Sequence, residues 1–251
     1  MFSKILLIVS LSLISVFSLF AQEKGDPKAT EIWEPVPKIV TPGFDTKHPM
    51  PPPSDAIIIF NGKDLSQFQN KDGKPAEWKL NAAEASVTVE KGKGDIQTKQ
   101  KFGDFQLHIE FREPSVVVGE SQGRGNSGIF LQEKYELQVL DCYNNKTYVN
   151  GQTGSIYKQA IPLTNVCKKP GEWQTYDVIY TAPHFKEDGS LEKPAFVTVI
   201  QNGVLVQNHT EIIGSTAYIG KPAYEKHGKG SIKLQDHGNP VSFRNIWIRE
   251  L

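Results

Sequence analysis

The sequence predicts an all-β protein, a single antiparallel β-sandwich behind a proline-rich N-terminal leader. From residue 55 onward, short runs of β-branched and aromatic residues alternate with turn residues, a pattern typical of strands. No stretch keeps an amphipathic helical pattern for more than two turns, and no repeat at a fixed spacing is visible. Two facing sheets bury such strands better than one open sheet does, so we expect a sandwich.

About ten strands are predicted along the domain. They cover 57–60, 86–89, 105–111, 128–131, 135–140, 176–180, 196–201, 204–208, 231–235 and 243–250. The clearest local pattern is Asn202-Gly203 between two apolar runs. Both residues tolerate the positive φ of a type I′ turn, so the flanking strands should pair as an antiparallel hairpin.

The chain divides into three predicted segments, which are a signal peptide over 1–21, an extended leader over 22–54 and the sandwich domain over 55–251. Lys4 precedes an apolar run that is followed by a small residue and then polar sequence, the order of a cleaved secretory signal. The run is shorter than the ~20 residues that span a bilayer, and no later stretch comes close. We therefore expect an exported protein, periplasmic or secreted, without a transmembrane segment after cleavage.

Charge and cysteine content exclude several classes of protein. The chain has 28 basic and 28 acidic side chains, whereas a general nucleic-acid binder needs a basic excess to neutralise phosphates. Cys142 and Cys167 are too few for a disulfide scaffold and lack a metal-ligand spacing. Whether the two thiols form one disulfide or stay separate is left open by the sequence.

A glycine-rich motif at 123–128 matches G-x-G-x-x-G, but its surroundings do not suit a dinucleotide site. Such a site needs a helix after the motif, because the pyrophosphate lies at the helix N-terminus, and here a strand pattern follows. We interpret the motif as a tight loop that leaves Arg124 and Asn126 facing a groove.

The most informative stretch is the strand 135–140 and the residue after it. Alternation places Glu136 and Gln138 side by side on one face. Asp141 falls on the other face unless a bulge returns its carboxylate to the first. With that bulge, two carboxyl groups and an amide form a candidate acid and base row. Without it, the row is a solvated polar face with Asp141 capping a turn, and the pattern alone favours neither.

Three further residues could line the same face. His237 lies where a predicted strand enters a turn, and imidazole has the ordinary pKa nearest to neutral pH. Tyr157 and Lys158 follow a glycine-containing loop.

Several motifs, in this order along 55–251, resemble the 3-keto-disaccharide hydrolase domain family. They are Phe60-Asn-Gly-Lys-Asp-Leu65, Asn126-Ser-Gly-Ile129, Tyr135-Glu-Leu-Gln-Val-Leu-Asp141, Gly154-Ser-Ile-Tyr157, Gly171-Glu-Trp173, Asn202-Gly203, Leu234-Gln-Asp-His-Gly238 and Phe243-Arg-Asn-Ile246. The resemblance implies a jelly-roll sandwich similar to concanavalin-type lectins and glucanases, with a concave sheet that receives a sugar or glycoside.

The resemblance also implies a substrate that is already oxidised to a ketone at carbon 3 of its sugar. A base can then remove the acidified hydrogen on carbon 2, the enolate expels the substituent on carbon 1, and water adds afterwards. We expect Glu136 and His237 to supply the base and the acid, with Asp141 tuning them, and the sequence leaves open which of the two is the base. The candidate substrate-binding residues are Arg124, Asn126, Gln138, Tyr157 and Lys158.

No cofactor is expected in this chain, and although a divalent metal could polarise the ketone, no ligand cluster demands one. A separate oxidoreductase that makes the ketone is implied by the resemblance alone. Two other functions stay open. One is a carbohydrate-binding module without catalysis. The other is direct glycoside hydrolysis, although Gln138 replaces the central acid that glucanases of related fold carry on this strand.

Overall fold

A computed structural model describes residues 25–39 and 51–251 of the protein. The predicted signal peptide lies outside these residues, so export stays a prediction. In the described part, none of the helical segments is long and apolar enough to cross a membrane. These segments are three short 3-10 turns, at Pro27–Thr30, Ser121–Gly123 and Val149–Gly151.

Fifteen strands form within the described residues, and together they confirm the all-β prediction. They are β1 (Ile57–Phe60), β2 (Phe68–Gln69), β3 (Lys79–Asn81), β4 (Ser86–Thr88), β5 (Ile96–Thr98), β6 (Phe105–Arg112), β7 (Asn126–Leu131), β8 (Tyr135–Leu140), β9 (Gln174–Thr181), β10 (His184–Phe185), β11 (Leu191–Lys193), β12 (Ala195–Gln201), β13 (Val204–Ile212), β14 (Lys233–Leu234) and β15 (Ser242–Glu250). The predicted strand over 231–235 is reduced to the two residues of β14.

Two antiparallel sheets make the sandwich. The larger has eight strands in the order β13-β12-β9-β6-β15-β4-β3, with β1 also paired to β15. The smaller has five strands in the order β2-β5-β14-β7-β8, and β10 and β11 form a separate ribbon. The sheets face each other across the apolar core, where the Tyr176 hydroxyl of the large sheet donates to the Gln138 carbonyl oxygen of the small one at 2.7 Å.

Strand alternation explains this core. Leu107, Ile109 and Phe111 of β6 are fully buried, as are Leu137 and Val139 of β8. Their period of two puts one face of each strand between the sheets, and burial of such side chains is the main favourable term in folding.

The predicted hairpin at Asn202-Gly203 is confirmed. Gln201 pairs with Val204, and Asn202 and Gly203 have φ values of 51° and 79°. Both values lie in the left-handed region that a type I′ turn requires, which explains why an Asn-Gly pair occupies it.

The leader segment 25–39 packs against the domain rather than extending away from it. The buried Asn150 side chain accepts from Ile32 N and donates to Thr30 O, both at 3.0 Å. Further along, Asn165 N donates to Lys38 O at 2.9 Å. Backbone groups of the leader thus have partners in the domain, so its position is fixed by hydrogen bonds.

The two cysteines are free thiols. The neighbouring Cys142 thiol, together with burial, raises the pKa of the Cys167 thiol well above its ordinary value.

Candidate active site

A cavity of about 910 Å³ opens on the outer face of the five-stranded sheet. Side chains of β7 and β8 form its floor, because alternation turns Phe130, Glu136 and Gln138 away from the core that Ile129 and Leu137 occupy. Loops and the leader form its walls. The lining residues are Lys28, Glu31, Trp33, Glu120, Ser121, Gln122, Gly123, Asn126, Phe130, Glu136, Gln138, Tyr148, Tyr157, Thr216, Tyr218, Gln235 and His237.

Glu136 lies at the bottom of the cavity with 5% of its surface exposed. The strand partner of Glu136 on β7 is Phe130, but the Glu136 carboxylate lies over Gly128, the glycine two residues before that partner. A Cβ added at Gly128 would lie 2.5 Å from Glu136 Oε1 and 2.9 Å from the Phe130 ring. The last glycine of the G-x-G-x-x-G motif therefore makes room for a carboxyl group.

Burial raises the pKa of Glu136 to about 8, and the charges of Lys233 and Asp95 modify it in opposite directions. With its nitrogen turned toward the carboxylate, the Gln138 amide donates to Glu136 Oε1 and to Ser127 O, both at 3.1 Å, and in the opposite orientation the same nitrogen donates to Gln122 Oε1 at 3.1 Å. A carboxyl group whose pKa lies near neutral pH can give or take a proton under physiological conditions. The predicted alternative of a solvated polar face is wrong, since Glu136 and Gln138 are both buried. Its other half is confirmed, because Asp141 caps a turn by accepting from Tyr143 N at 3.1 Å.

His237 is exposed and lines the cavity. The aspartate before it fixes the loop, because Asp236 Oδ2 accepts from Gly92 N at 2.8 Å and from Gly94 N at 3.0 Å. Gly238 N donates to the other oxygen of Asp236 at 2.9 Å. His237 is thus carried on an anchored turn while its imidazole remains open to the cavity.

Asn126, at the start of β7, reaches the same cavity. Its amide nitrogen donates to Gln122 O at 2.8 Å, and its backbone nitrogen donates to the Asn239 side chain at 3.2 Å. Gln122 in turn donates to Gly151 O at 2.9 Å. These bonds fix a polar wall of amide groups, the side chains that suit the hydroxyl groups of a sugar.

Tyr148 and Tyr157 form a phenol pair on another wall. Their hydroxyl oxygens are 2.6 Å apart, so one hydroxyl donates to the other and one proton of the pair stays available. Burial is the main cause that raises the pKa of Tyr157 to about 12. Burial raises the pKa of Tyr148 as well, so both phenols are neutral at physiological pH and the pair has one hydroxyl proton to donate.

The bulge that would return Asp141 to the face of Glu136 does not form. The register between β7 and β8 runs without a shift from Asn126 to Leu140, and Asp141 N continues it by donating to Gly125 O at 3.0 Å. Unbroken alternation turns Asp141 away from the face of Glu136.

Asp141 is not a cavity residue but one half of an ion pair. Its Oδ2 accepts from Arg124 Nε at 2.9 Å and from Arg124 Nη2 at 2.5 Å. Neither residue lines the cavity, so both predicted site residues are corrected to a structural role. The pair ties the glycine-rich loop to the end of β8, and Arg124 Nη2 also donates to Tyr143 O at 3.2 Å.

Lys158 also departs from its predicted role in substrate binding. Its ammonium group donates to Pro27 O at 2.7 Å and to Tyr218 O at 2.9 Å, and it lies 4.7 Å from the centre of the Tyr218 ring. The residue does not line the cavity. It joins the leader to the loop that carries Tyr218 and so supports the cavity wall from behind.

Sequence reasoning placed Asn126 and Tyr157 at the site but missed other residues of the cavity walls. Gln122, Tyr148 and Tyr218 lie on loops whose patterns carry no signal for a site, and Trp33 lies in the proline-rich leader. The motif Gly154-Ser-Ile-Tyr157 could have pointed to Tyr148, because both tyrosines flank the same loop. Among the described residues, no group of three His, Cys, Asp or Glu side chains is placed to hold a metal ion.

Comparison with known proteins identifies the family. Residues 55–249 match the profile of the 3-keto-alpha-glucoside-1,2-lyase-like domain, so the chain belongs to that family. The match confirms the family to which the sequence motifs point. The matched region does not include the leader.

Two relatives support this assignment, and a third structure shares the fold. A 3-keto-disaccharide hydrolase of Bacteroides thetaiotaomicron is 25% identical in an alignment that covers 78% of this chain and 78% of that protein. A crystal structure from Parabacteroides distasonis, provisionally named a glycosyl hydrolase, is 62% identical, covers 89% of this chain and 96% of its own, and has a TM-score of 0.78. A second structure from that organism shares the fold, with 22% identity over 78% of this chain and 94% of its own and a TM-score of 0.56. The chain is therefore a glycoside hydrolase-like enzyme.

Proposed function

We propose that the protein cleaves 3-keto-glycosides by elimination followed by hydration, with Glu136 as the base. One observation carries the proposal, namely that a single deeply buried carboxyl group with a pKa of about 8 lies at the bottom of a sugar-sized cavity lined by neutral proton donors. The name of the family and that of the Bacteroides relative both refer to 3-keto sugars, which supports this substrate class.

The reaction starts at carbon 2 of the oxidised sugar. The ketone at carbon 3 acidifies the hydrogen on carbon 2, and ionised Glu136 takes that proton while the electron pair of the C–H bond moves into the enolate. The enolate then forms a double bond between carbons 1 and 2 and expels the oxygen of the leaving group, which takes up a proton. Water adds to the unsaturated sugar at carbon 1, and a proton returns to carbon 2, so the sum of the steps is a hydrolysis.

The remaining cavity residues have distinct roles in this scheme. The free hydroxyl proton of the Tyr148 and Tyr157 pair stabilises the enolate oxygen, because a neutral donor strengthens its hydrogen bond as the negative charge develops. His237, on its anchored turn, supplies the proton to the leaving group. Asn126 and Gln138 bind the hydroxyl groups of the sugar, and Gln138 also supports the ionised form of Glu136.

The row of acids that glucanases of related fold carry on this strand is broken here by Gln138 and by the position of Asp141 outside the cavity, which argues against direct hydrolysis of an unmodified glycoside. A retaining glycosidase needs two carboxyl groups about 5 to 5.5 Å apart at the scissile bond. In the described part of the cavity lining the other carboxyl groups belong to Glu31 and Glu120, and Glu120 is exposed at the rim. Asp141 is paired with Arg124 outside the cavity. Elimination needs only one base, which the site provides.

Two consequences follow for the surroundings of the enzyme. Because the reaction begins from an oxidised sugar, a separate oxidoreductase must form the ketone. The proposed steps use protein side chains and water, and they require no cofactor in this chain.

The test compares a glucoside with its 3-keto form and with the 3-keto form deuterated at carbon 2. We expect release of the leaving group from the keto form only, and slower release from the deuterated one, because a C–H bond breaks in the elimination. Glu136→Gln should lower kcat/KM by about 10² to 10⁴. Glu225→Gln, an exposed carboxyl outside the cavity, is the matched control and should keep full activity.

Equal turnover of the parent glucoside, or no isotope effect together with an active Glu136→Gln variant, would overturn the mechanism. Sugar binding without turnover of either substrate would identify a binding module instead.

A further inference from the structure

The leader segment 25–39 lies outside the matched family domain, yet three of its side chains, Lys28, Glu31 and Trp33, line the cavity. The segment is held there by specific bonds. In addition to the two hydrogen bonds between the leader and Asn150, Val149 N donates to Ile32 O of the leader at 2.6 Å. The buried Lys158 ammonium binds Pro27 O at 2.7 Å. A loosely attached linker would have no need of a fully buried Asn150 or of a lysine with 8% of its surface exposed.

Trp33 is the largest side chain that the leader contributes. It is 45% exposed, and its ring meets the Tyr148 ring edge to face, with centroids 6.3 Å apart and an interplanar angle of 71°. This edge contact fixes the orientation of the Trp33 ring, and part of the indole face remains exposed to the cavity. An indole surface held open in this way is a platform on which the apolar face of a sugar ring can stack.

The exposed fractions of the lining side chains also indicate how deep each one lies in the cavity. Glu136 at 5% lies at the bottom and Trp33 at 45% lies at the mouth. The ring that reacts must reach Glu136, so the ring that contacts Trp33 is the next one, which is the leaving group. The cavity volume of about 910 Å³ lies near the upper end of the ~300–1,000 Å³ found for small-molecule sites, which leaves room for a second ring.

We propose that the leader is the outer wall of the substrate site and that Trp33 is the side chain that stacks on a ring-shaped leaving group. This inference rests on the proposed function for the identity of the reacting ring. The recognised chemistry is a pyranose or aromatic ring on carbon 1 of the oxidised sugar.

The experiment uses the full chain with Trp33→Ala, Trp33→Phe and the control Val36→Ala, an exposed leader residue that does not line the cavity. Substrates are the 3-keto form of an α-linked glucose disaccharide and methyl 3-keto-glucoside, whose leaving group has no ring. We expect Trp33→Ala to raise KM for the disaccharide roughly three- to tenfold with little change in kcat, since an aromatic contact is worth about 0.5–1.5 kcal/mol. Trp33→Phe should restore part of the loss, and methyl glycoside kinetics should be unchanged in every variant.

An unchanged KM for the disaccharide in Trp33→Ala, or an equal loss on both substrates, overturns the inference. A separate titration keeps this result distinct from failure of the proposed function. If the wild-type protein turns over neither substrate but binds the keto disaccharide by calorimetry, the function fails. In that case the inference that Trp33 is a stacking platform is retained only if Trp33→Ala weakens that binding and Val36→Ala does not.

Discussion

Each sheet of the sandwich contains a buried glutamate, and the two have opposite electrostatic surroundings. Glu110 of β6 is 1% exposed and Glu136 of β8 is 5% exposed. Burial by itself acts to raise the pKa of both carboxyl groups. At Glu136 the effect of burial prevails, so the pKa is raised. At Glu110 the hydrogen bonds and the charge of Arg244 outweigh burial, so the pKa is held below its ordinary value.

The partners explain the difference. Glu110 accepts from Arg244 Nε at 2.6 Å and from Asn245 Nδ2 at 2.9 Å, and His108 Nε2 lies 3.6 Å away. Although burial lowers the pKa of His108, its contacts with Asp177 and Glu110 outweigh burial and raise that pKa to about 9. Glu136 has an amide neighbour in Gln138 and the wall of a cavity instead. A fully paired carboxylate serves the fold, while a buried carboxyl with no bound cation is available for chemistry.

The largest effect on stability should come from Glu110. Glu110→Gln removes the carboxylate that two buried cationic groups share, and breaking such a pair costs about 3–5 kcal/mol. Denaturant unfolding of this variant and of Glu136→Gln measures the contrast. We expect Glu110→Gln to be strongly destabilised and Glu136→Gln to be as stable as the wild type or more so at pH 7. Equal destabilisation of both variants would show that Glu136 is also a structural residue.

A second prediction concerns pH. Glu136 has an ordinary pKa of 4.5, and burial raises it to about 8 in the folded protein. Between these values the folded state holds a proton that the unfolded chain has released, so this group's contribution to stability is complete below pH 4.5 and is lost as the pH rises toward 8. The slope is at most ~1.4 kcal/mol per pH unit.

Glu136→Gln lacks this titration, so its melting temperature relative to that of the wild type should rise from pH 5 to pH 8 and level off above about pH 9. Thermal unfolding of both proteins at pH 5, 7 and 9 measures the difference. Glu110 has the opposite sign, because its lowered pKa gives stability that is present at neutral pH and is lost in acid. A constant offset between Glu136→Gln and the wild type would mean that Glu136 titrates normally.

The sequence predicted the sandwich because the long strands have a clear period of two and Asn202-Gly203 marks a hairpin. It did not predict β2, β3 or β5, since strands of two or three residues carry too little pattern to be read.

At the site, alternation alone placed Glu136 and Gln138 on one face correctly. The error concerned Asp141, where a bulge was needed to join it to that face and the chain instead continues its register to meet Arg124. The role of Trp33 could not be predicted, because a proline-rich segment shows no period that reveals which domain surface it covers.

The smallest expected effect tests how closely the cavity floor is fitted to Glu136. In Gly128→Ala the new methyl group would lie 2.5 Å from Glu136 Oε1, so the carboxylate must move, and Phe130 must move with it. We expect kcat/KM to fall about tenfold, since a small displacement of a catalytic group is costly. Gly228→Ala is the matched control, because a Cβ at that position meets open space and the residue lies outside the cavity. Steady-state kinetics of the two variants on the 3-keto substrate give the comparison. Full activity in Gly128→Ala would mean that the carboxylate position seen beside this glycine is not the one used in catalysis.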